Sequence, residues 1–211
     1  MKRGLFITFE GSDGCGKSTQ AKLLAGALRK KGYDIVRTRE PGGSLFSEYL
    51  RKIILNPKYR VNPVAELFLY EASRAGHTAE VIVPALGKNR IVICERYSDA
   101  TVAYQGYGRG LNMKDLMFVD GVATGGSKPD VTIFMKLPAG KSLGRIKRKK
   151  DRLELEKDSF HRRVARGYRE ICAKNRERIH VVRADGSVIK VHRRILGIIE
   201  KCLKKLKFRK T

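Results

Sequence analysis

The sequence predicts an α/β fold whose centre is a five-stranded, mostly parallel sheet flanked by helices. Two observations lead to this prediction. Short apolar runs rich in β-branched residues alternate along the 211 residues with stretches of helical periodicity. Charged side chains are concentrated at the ends of the apolar runs. Parallel strands bring those ends to one edge of the sheet, so we expect a ligand to bind there.

The elements follow one another without a linker, repeat or low-complexity tract, which favours a single domain over residues 1–211. Each strand is a short apolar run, and each helix repeats apolar residues every three or four positions. Gly32 ends the first helix, and Asn56-Pro57 stops the second. The predicted strands lie at residues 5–9, 34–39, 90–95, 131–137 and 179–183. The predicted helices lie at residues 20–29, 45–55, 64–86, 113–122, 138–150, 159–178 and 188–206.

The turn after the first strand fits the phosphate-binding pattern G-x-x-x-x-G-K-[ST], and a helix follows it as that pattern requires. Glycines let backbone N–H groups turn toward phosphate oxygens, and the helix N-terminus adds positive partial charge. We expect Lys17 to reach the β- and γ-phosphates and Ser18 to hold Mg²⁺. The sequence therefore predicts a P-loop NTPase fold that binds a nucleoside triphosphate. The predicted ATP-binding residues are Gly11, Ser12, Asp13, Gly14, Cys15, Gly16, Lys17, Ser18 and Thr19.

The third strand, RIVICE at 90–95, resembles a Walker B strand, whose final acid helps to place Mg²⁺ directly or through water. Arg96 follows at once, and a cation beside a buried strand end suits a phosphate. The structural alternative is an ion pair of Glu95 with Arg74 or Arg96. The neighbouring P-loop favours the metal interpretation, with Ser18 and Glu95 as the metal ligands.

The formal net charge of +25 allows two interpretations. Clustered Lys and Arg suit a nucleic-acid-binding protein. The basic runs at 145–152, 162–178 and 201–210 carry no interleaved aromatic motif of the kind that RNA-binding modules use. We therefore favour a basic surface around a site for anionic small molecules, with no specific nucleic-acid partner.

The remaining composition favours a cytoplasmic location. No apolar run approaches the length that spans a bilayer, so no membrane partner is expected. The first strand follows Met1-Lys2-Arg3 directly, which leaves no room for a signal peptide. Four scattered cysteines lack disulfide or metal spacing and are typical of a reducing compartment.

Six stretches together resemble the thymidylate kinase family, the nucleoside monophosphate kinases that convert dTMP to dTDP. They occur in the family's order and span nearly the whole chain. The stretches are FEGSDGCGKSTQAKLL at 9–24, REPGG at 39–43, ELFLYEASRAGH at 66–77, ERYSDATVAYQGYGRG at 95–110, KPD at 128–130 and DRLE at 151–154. The resemblance implies a transferase that uses ATP and Mg²⁺ and is usually a homodimer.

The resemblance also implies an acceptor site. Tyr70 stands where the family usually has a Phe that stacks on thymine, and Arg74 on the same helix face would reach a base carbonyl. Thr101 and Gln105 match positions that read the polar edge of the base, and Tyr104 matches a ring that blocks a ribose 2′-hydroxyl. For Tyr70, Tyr104 and Gln105 the alternative is plain packing. The implied dTMP-binding residues are Asp13, Arg39, Tyr70, Arg74, Arg96, Thr101, Tyr104 and Gln105.

The chemistry requires aligned anions and charge stabilisation rather than a general base. The variable positions 13–15 of the P-loop contain no arginine. Family members of that kind supply one from a mobile lid over ATP, and the basic segment at about 141–157 occupies the lid position. Arg148 is the first candidate, followed by Arg152 and Arg145. The implied catalytic residues are Lys17, Glu95, Arg96, Arg148 and Arg152.

Three residues depart from the family pattern. Glu95 replaces a commoner Asp, and Ser73 and Gly76 replace a commoner Asp and Gln near Arg74. Base selectivity is therefore less firmly implied than phosphate chemistry. Two other functions stay open: a kinase of the same fold that acts on dUMP or a purine monophosphate, and a P-loop nucleic-acid-binding ATPase.

Overall fold

A computed structural model describes residues 3–137, 149–206 and 208. Its centre is a sheet of five parallel strands in the order β2-β3-β1-β4-β5. The strands are β1 (Leu5–Glu10), β2 (Ile35–Arg39), β3 (Ile91–Glu95), β4 (Val131–Lys136) and β5 (Ile179–Arg183). The predicted α/β fold is confirmed, and this sheet is parallel throughout.

Strand β1 lies in the middle of the sheet, and all six of its residues are buried. Strands β3 and β4 pair with its two edges, and helices cover both faces. A strand buried on both faces is a continuous apolar run, which explains why LFITFE shows little alternation. The register sets Phe9 beside Glu95 and Glu95 beside Arg39. Three neighbouring strands therefore end at the same edge as the P-loop.

The helices begin at sites that the sequence marks locally. Side-chain oxygens of Ser44, Asn62, Asn112 and Ser187 accept hydrogen bonds from N–H groups in the first turns of the helices that follow them. No helix in the described part of the chain combines the length and apolar content of a bilayer span. The helices are α1 (Lys17–Lys30), α2 (Leu45–Ile54), α3 (Pro63–His77), α4 (Val83–Gly87), α5 (Ser98–Thr101), α6 (Met113–Thr124), α7 (Asp158–Lys174) and α8 (Val188–Lys205), with π-helical segments π1 (Thr78–Ile82) and π2 (Val102–Gly108).

The helical stretch predicted at 64–86 is confirmed in extent, because residues 63–87 are helical without a gap, but the helix is π-helical over Thr78–Ile82. Helix α3 ends at His77, π1 follows, and α4 carries Pro84 in its first turn. Proline has no backbone N–H to donate to the helical ladder, so a regular helix does not run through it.

The helix predicted at 159–178 ends early, so that prediction is wrong at its C-terminal end. Helix α7 stops at Lys174 because Asn175 leaves the helical region, with φ −129° and ψ 45°, and its Nδ2 donates to the Ile171 carbonyl oxygen at 2.8 Å. The helix predicted at 138–150 lies almost entirely outside the described residues.

The core has two sides because successive strand residues point to opposite faces. Leu5, Ile7 and Phe9 pack with residues of α1 and α8. Phe6 points the other way and packs with π1, α4 and the ring of Tyr97. This second face also carries α7, whose side chains reach toward the end of β1.

Candidate active site

The P-loop connects the end of β1 to the start of α1. Gly11, Gly14 and Gly16 have φ of 137°, 78° and 95°, a region that other residues rarely adopt. A Cβ at Gly11 would also lie 2.6 Å from a backbone carbonyl oxygen of β4. Lys17 Nζ lies 2.9 Å from the carbonyl oxygens of both Gly11 and Ser12. The loop therefore holds the lysine where P-loop proteins bind the phosphates of a nucleotide.

The two predicted metal ligands contact each other, because β1 and β3 are neighbouring strands. Ser18 Oγ donates a hydrogen bond to Glu95 Oε2, and Arg37 Nη1 lies 3.4 Å from Glu95 Oε1. The described residues contain no group of three or more His, Cys, Asp or Glu side chains that could bind a metal unaided. One hydroxyl and one carboxylate fit Mg²⁺ bound together with a nucleotide, because such sites use few protein oxygens and complete the shell with phosphates and water.

Arg96 is a partly buried cation that Asp13 holds at the P-loop. Its Nη2 lies 2.7 Å from Asp13 Oδ1, and its φ of 67° is unusual for a non-glycine residue. Burial raises the pKa of Asp13, but the positive charges of Arg96 and Lys17 outweigh burial and hold that pKa well below its ordinary value. Arg96 therefore pairs with Asp13, and the alternative of an ion pair with Glu95 does not form.

An open cavity extends from the P-loop to α3 and π2. Its mixture of aromatic, arginine and amide side chains suits a nucleotide. Seven of the eight residues predicted for the acceptor site line it. They are Asp13, Tyr70, Arg74, Arg96, Thr101, Tyr104 and Gln105.

Arg74 is 2% exposed and is held by three carboxylates. Its Nε lies 2.8 Å from Glu40 Oε2, and its Nη1 lies 3.0 Å from Asp120 Oδ1 and also donates to Glu71. Burial lowers the pKa of Arg74, but the three carboxylates outweigh burial and raise that pKa above its ordinary value. These hydrogen bonds use Nε and Nη1, and Nη2 has no hydrogen bond to a side chain among the described residues.

Tyr70, Tyr104 and Gln105 combine a cavity position with close packing. The Tyr104 hydroxyl accepts a hydrogen bond from Arg96 Nη2 at 3.1 Å and donates to Asp13 Oδ2 at 3.2 Å. Tyr70 packs against the apolar cluster that contains Tyr104, and Gln105 is almost fully buried. Packing and ligand contact are therefore not exclusive alternatives for these side chains.

Comparison with known proteins agrees with this geometry. The family model described as thymidylate kinase matches residues 9–195. This chain belongs to the thymidylate kinase family. It is 43% identical over 196 residues to a thymidylate kinase of Synechococcus sp. (strain JA-2-3B'a(2-13)), covering 93% of this chain and 94% of the relative. It is 41% identical over 203 residues to that of Caldanaerobacter subterraneus subsp. tengcongensis, covering 96% and 98%. A crystal structure of thymidylate kinase from Ehrlichia chaffeensis matches with a TM-score of 0.79 at 31% identity, covering 93% of this chain and 99% of that one.

Membership in the thymidylate kinase family confirms the expected activity. The chain is an ATP-dependent nucleoside monophosphate kinase, a transferase, with thymidylate kinase function. The fold agrees as well, because the match to the Ehrlichia chaffeensis enzyme covers nearly the whole of both chains.

Arg39 is the predicted acceptor residue of this kinase that does not line the cavity. It is half exposed, and its Nη2 lies 3.0 Å from both carboxylate oxygens of Glu48. Arg51 lines the cavity instead, and its Nη1 donates to the Pro41 carbonyl oxygen at 2.6 Å. Nothing in the local sequence distinguishes Arg51 from a surface cation at the end of α2. Sequence reasoning also missed these cavity residues: Glu40, Pro41, Leu55, Ala100, Asp151 and Leu153.

The predicted lid is only partly described. Arg145 and Arg148 lie outside the described residues. Arg152 Nε donates to the Ile54 carbonyl oxygen at 3.0 Å, and its Nη1 lies 2.5 Å from Glu66 Oε2. The contacts of Arg152 are therefore with α2 and α3 rather than with the P-loop.

The departures in α3 from the family pattern lie away from the cavity. Ser73 Oγ accepts a hydrogen bond from the Gly42 N–H at 3.3 Å, and a Cβ at Gly76 would lie 3.1 Å from the ring of Phe46. Neither Ser73 nor Gly76 lines the cavity. Ser73 therefore contacts the loop after β2, and Gly76 lies where α3 packs on α2.

Glu10, the last residue of β1, is a functional candidate that sequence reasoning missed. Its Oε1 accepts the Tyr97 N–H and its Oε2 accepts the Tyr168 hydroxyl, both at 2.8 Å. Burial raises the pKa of Glu10 to about 7, Asp99 adds to the rise, and Arg96 opposes it. Tyr168 also accepts a hydrogen bond from Arg96, so it links Glu10 to the cation that the sequence predicts at a phosphate. The available signal was a carboxylate that ends an apolar strand directly before a P-loop.

Proposed function

We propose that this kinase transfers the γ-phosphate of ATP to dTMP, with Mg²⁺ bound, and yields dTDP and ADP for dTTP synthesis. One observation carries the proposal. Asp13 is a P-loop residue, it pairs with Arg96, and both side chains line the cavity. A donor bound by Lys17 and an acceptor in the cavity would therefore meet at Arg96.

Catalysis by these residues consists of positioning and charge stabilisation. The attacking atom is a phosphate oxygen of the acceptor that is already anionic near neutral pH, so the site needs no general base. Lys17 binds the phosphates of the donor nucleotide. Arg96 binds phosphate oxygens at the point where the donor and the acceptor meet. Ser18 and Glu95 would hold Mg²⁺, which would supply positive charge to stabilise the phosphate groups in the transition state.

We propose that residues 1–211 form a single domain with a lid at about residues 141–157. We assign the arginine that acts in the transition state to this lid. Arg148 is the first choice, then Arg152 and Arg145. The bond between Arg152 and the buried Glu66 supports this order, because Arg152 would have to leave that carboxylate to reach a phosphate.

Within the cavity we assign dTMP contacts to residues that already face it. Tyr70 stacks on the base, Arg74 and Gln105 bind its polar edge together with Thr101, and Tyr104 lies near the sugar. Asp13 and Arg96 lie at the sugar 3′-hydroxyl and the phosphate. Arg39 stays a candidate for that phosphate, and Arg51 joins it because it lines the cavity.

The test is a product assay with ATP·Mg²⁺ and equal amounts of dTMP, dUMP, dGMP and UMP in one reaction. We expect preferential dTDP, lost in Lys17→Met and retained in Lys22→Met, an exposed lysine of the same helix. Another diphosphate as main product would overturn the base contacts. ATP hydrolysis stimulated by DNA, with no diphosphate formed from any acceptor, would favour the nucleic-acid-binding ATPase.

We also propose a homodimer formed through an apolar surface on α2, α3 and α6. Helix α3 packs against both α2 and α6, so their outer faces adjoin. Monomeric proteins rarely expose apolar patches of more than a few hundred Å². The exposed side chains are Leu45, Phe46, Tyr49, Val64, Phe68, Met117, Phe118 and Val122.

A sedimentation measurement should show whether the protein is a dimer or a monomer. Phe118, 73% exposed, and Ile189, 64% exposed on α8, form a matched pair of apolar surface residues. We expect Phe118→Glu to halve the sedimenting mass and Ile189→Glu to leave it unchanged. Equal behaviour of the two variants would contradict this interface.

We place the enzyme in the cytoplasm, with no specific nucleic-acid or membrane partner. The four cysteines support a reducing compartment, because Cys15, Cys94, Cys172 and Cys202 are free thiols.

A further inference from the structure

A buried carboxylate outside the cavity connects three parts of the chain. Glu66 in the first turn of α3 is 0% exposed. Its Oε1 accepts hydrogen bonds from Gln105 Nε2 at 2.8 Å and from Arg109 Nε at 3.0 Å. Its Oε2 accepts from Arg109 Nη2 at 2.9 Å and from Arg152 Nη1 at 2.5 Å. Gln105 lines the cavity, whereas Glu66 does not.

Glu66 presents only hydrogen-bond acceptors to Gln105. Burial raises the pKa of Glu66, but hydrogen bonds from Arg109, Gln105 and Arg152 outweigh burial and hold that pKa below its ordinary value. An ionised carboxylate has no proton to donate. A reversed Gln105 amide would therefore set its carbonyl oxygen against a carboxylate oxygen, with no hydrogen between them.

The amide orientation decides what the cavity offers to a base. With Nε2 directed at Glu66, Oε1 is the remaining polar atom of the Gln105 side chain, and no other described residue donates a hydrogen bond to it. A carbonyl oxygen can accept the N3–H of thymine or uracil, whereas N3 of cytosine is itself an acceptor. Arg74 is a donor in the same cavity, which suits the O4 carbonyl of thymine and not the 4-amino group of cytosine.

We propose that Glu66 is a positioning residue for acceptor specificity: it orients the Gln105 amide so that the cavity selects a 2,4-dioxopyrimidine over a 4-aminopyrimidine base. The inference rests on the proposed acceptor site, in which Gln105 contacts the base. In this proposal Glu66 of α3 affects base specificity through the side chain of Gln105.

The test variant is Glu66→Gln, which keeps the shape but replaces the acceptor-only carboxylate by an amide that can donate or accept. Both orientations of Gln105 then become available. We expect the ratio of kcat/KM for dTMP to kcat/KM for dCMP to fall about tenfold. The KM for dTMP should rise, with kcat and the KM for ATP nearly unchanged, a pattern that a general loss of structure would not produce.

Arg109→Gln is the matched control. It removes two hydrogen bonds to Glu66 and the ion pair with Glu156 but leaves the Gln105 bond intact. It should lower stability without changing the dTMP-to-dCMP ratio. If Glu66→Gln does not fold, the double variant with Arg109→Gln replaces it, since that variant removes both charges of the pair.

Gln105→Ala separates this inference from the acceptor site on which it rests. We expect Gln105→Ala to reduce the ratio, and Glu66→Gln to have no further effect in that background. An unchanged ratio in Glu66→Gln beside a reduced ratio in Gln105→Ala would overturn the positioning role alone. An unchanged ratio in Gln105→Ala would overturn the assignment of Gln105 to the base, and the inference with it.

Discussion

Replacing Glu10 by Gln should remove a large pH dependence from the stability of this kinase. Glu10 accepts the Tyr97 N–H and the Tyr168 hydroxyl hydrogen in a site closed to water. Gln has the same shape, its carbonyl oxygen can accept the Tyr97 N–H, and its amide can donate to the Tyr168 oxygen. The variant therefore resembles the protonated carboxyl at every pH.

The size of the effect follows from the pKa of Glu10, which rises from 4.5 to about 7 on folding, chiefly because burial disfavours the charge. Between these values the folded protein binds more protons than the unfolded chain, so stability falls as pH rises. The contribution of protonated Glu10 is fully present below pH 4.5 and is lost as pH rises through 7. Its size is about 3 kcal/mol.

The assay is urea unfolding of wild type and Glu10→Gln at steps from about pH 4.5 to about pH 8. The difference in free energy of unfolding, variant minus wild type, should increase by about 3 kcal/mol over that range, because the other carboxylates are common to both proteins. Glu200→Gln, at an exposed ion pair with Lys31, is the control and should give a constant difference. Parallel curves for Glu10→Gln would refute the reasoning.

Four further changes test the site. Glu95→Gln should raise the Mg²⁺ concentration for half-maximal turnover about tenfold, and an unchanged Mg²⁺ titration would exclude Glu95 from metal placement. Arg148→Ala should lower kcat far more than it raises KM for either substrate, whereas an effect on KM alone would remove Arg148 from the transition state. Arg74→Met leaves three buried carboxylates without their cation, so urea unfolding should show a loss of about 3–5 kcal/mol; a surface-like loss below about 1 kcal/mol would contradict the burial of this network. Tyr104→Ala should raise turnover of UMP relative to dUMP if the ring occupies the space of a 2′-hydroxyl, and equal ratios in wild type and variant would show that it does not.

The sequence predicted the sheet and the P-loop well, because both depend on local signals. A strand between two helical layers is apolar along its whole length, and LFITFE shows that without any knowledge of its partners. The glycines of GSDGCGKS mark backbone angles that other residues avoid. One helix end was predicted less well: the end of α7 at Lys174 depends on Asn175, whose effect competes with apolar periodicity.

The candidate site likewise contains some residues that the sequence could assign and others that it could not. Residues within recognisable motifs, such as Arg74 and Gln105, could be assigned to the cavity from the sequence. Arg51 could not, because only the fold of α2 over the cavity separates it from other exposed cations. The reverse holds for Arg39, which its motif assigned to the dTMP site and which the structure pairs with Glu48.

By itself, then, the sequence determined the fold class, the phosphate-binding loop and the family of this enzyme. Each of them depends on patterns of residues that lie close together in the chain. The tertiary structure decided which carboxylates have raised or lowered pKa values and how the Gln105 amide is oriented. Glu10 has its pKa raised by burial among residues some 90 to 160 positions away, and Glu66 receives partners 39 to 86 positions away. Burial and pairing across such separations exist only once the chain has folded, because they depend on distances in space rather than along the chain.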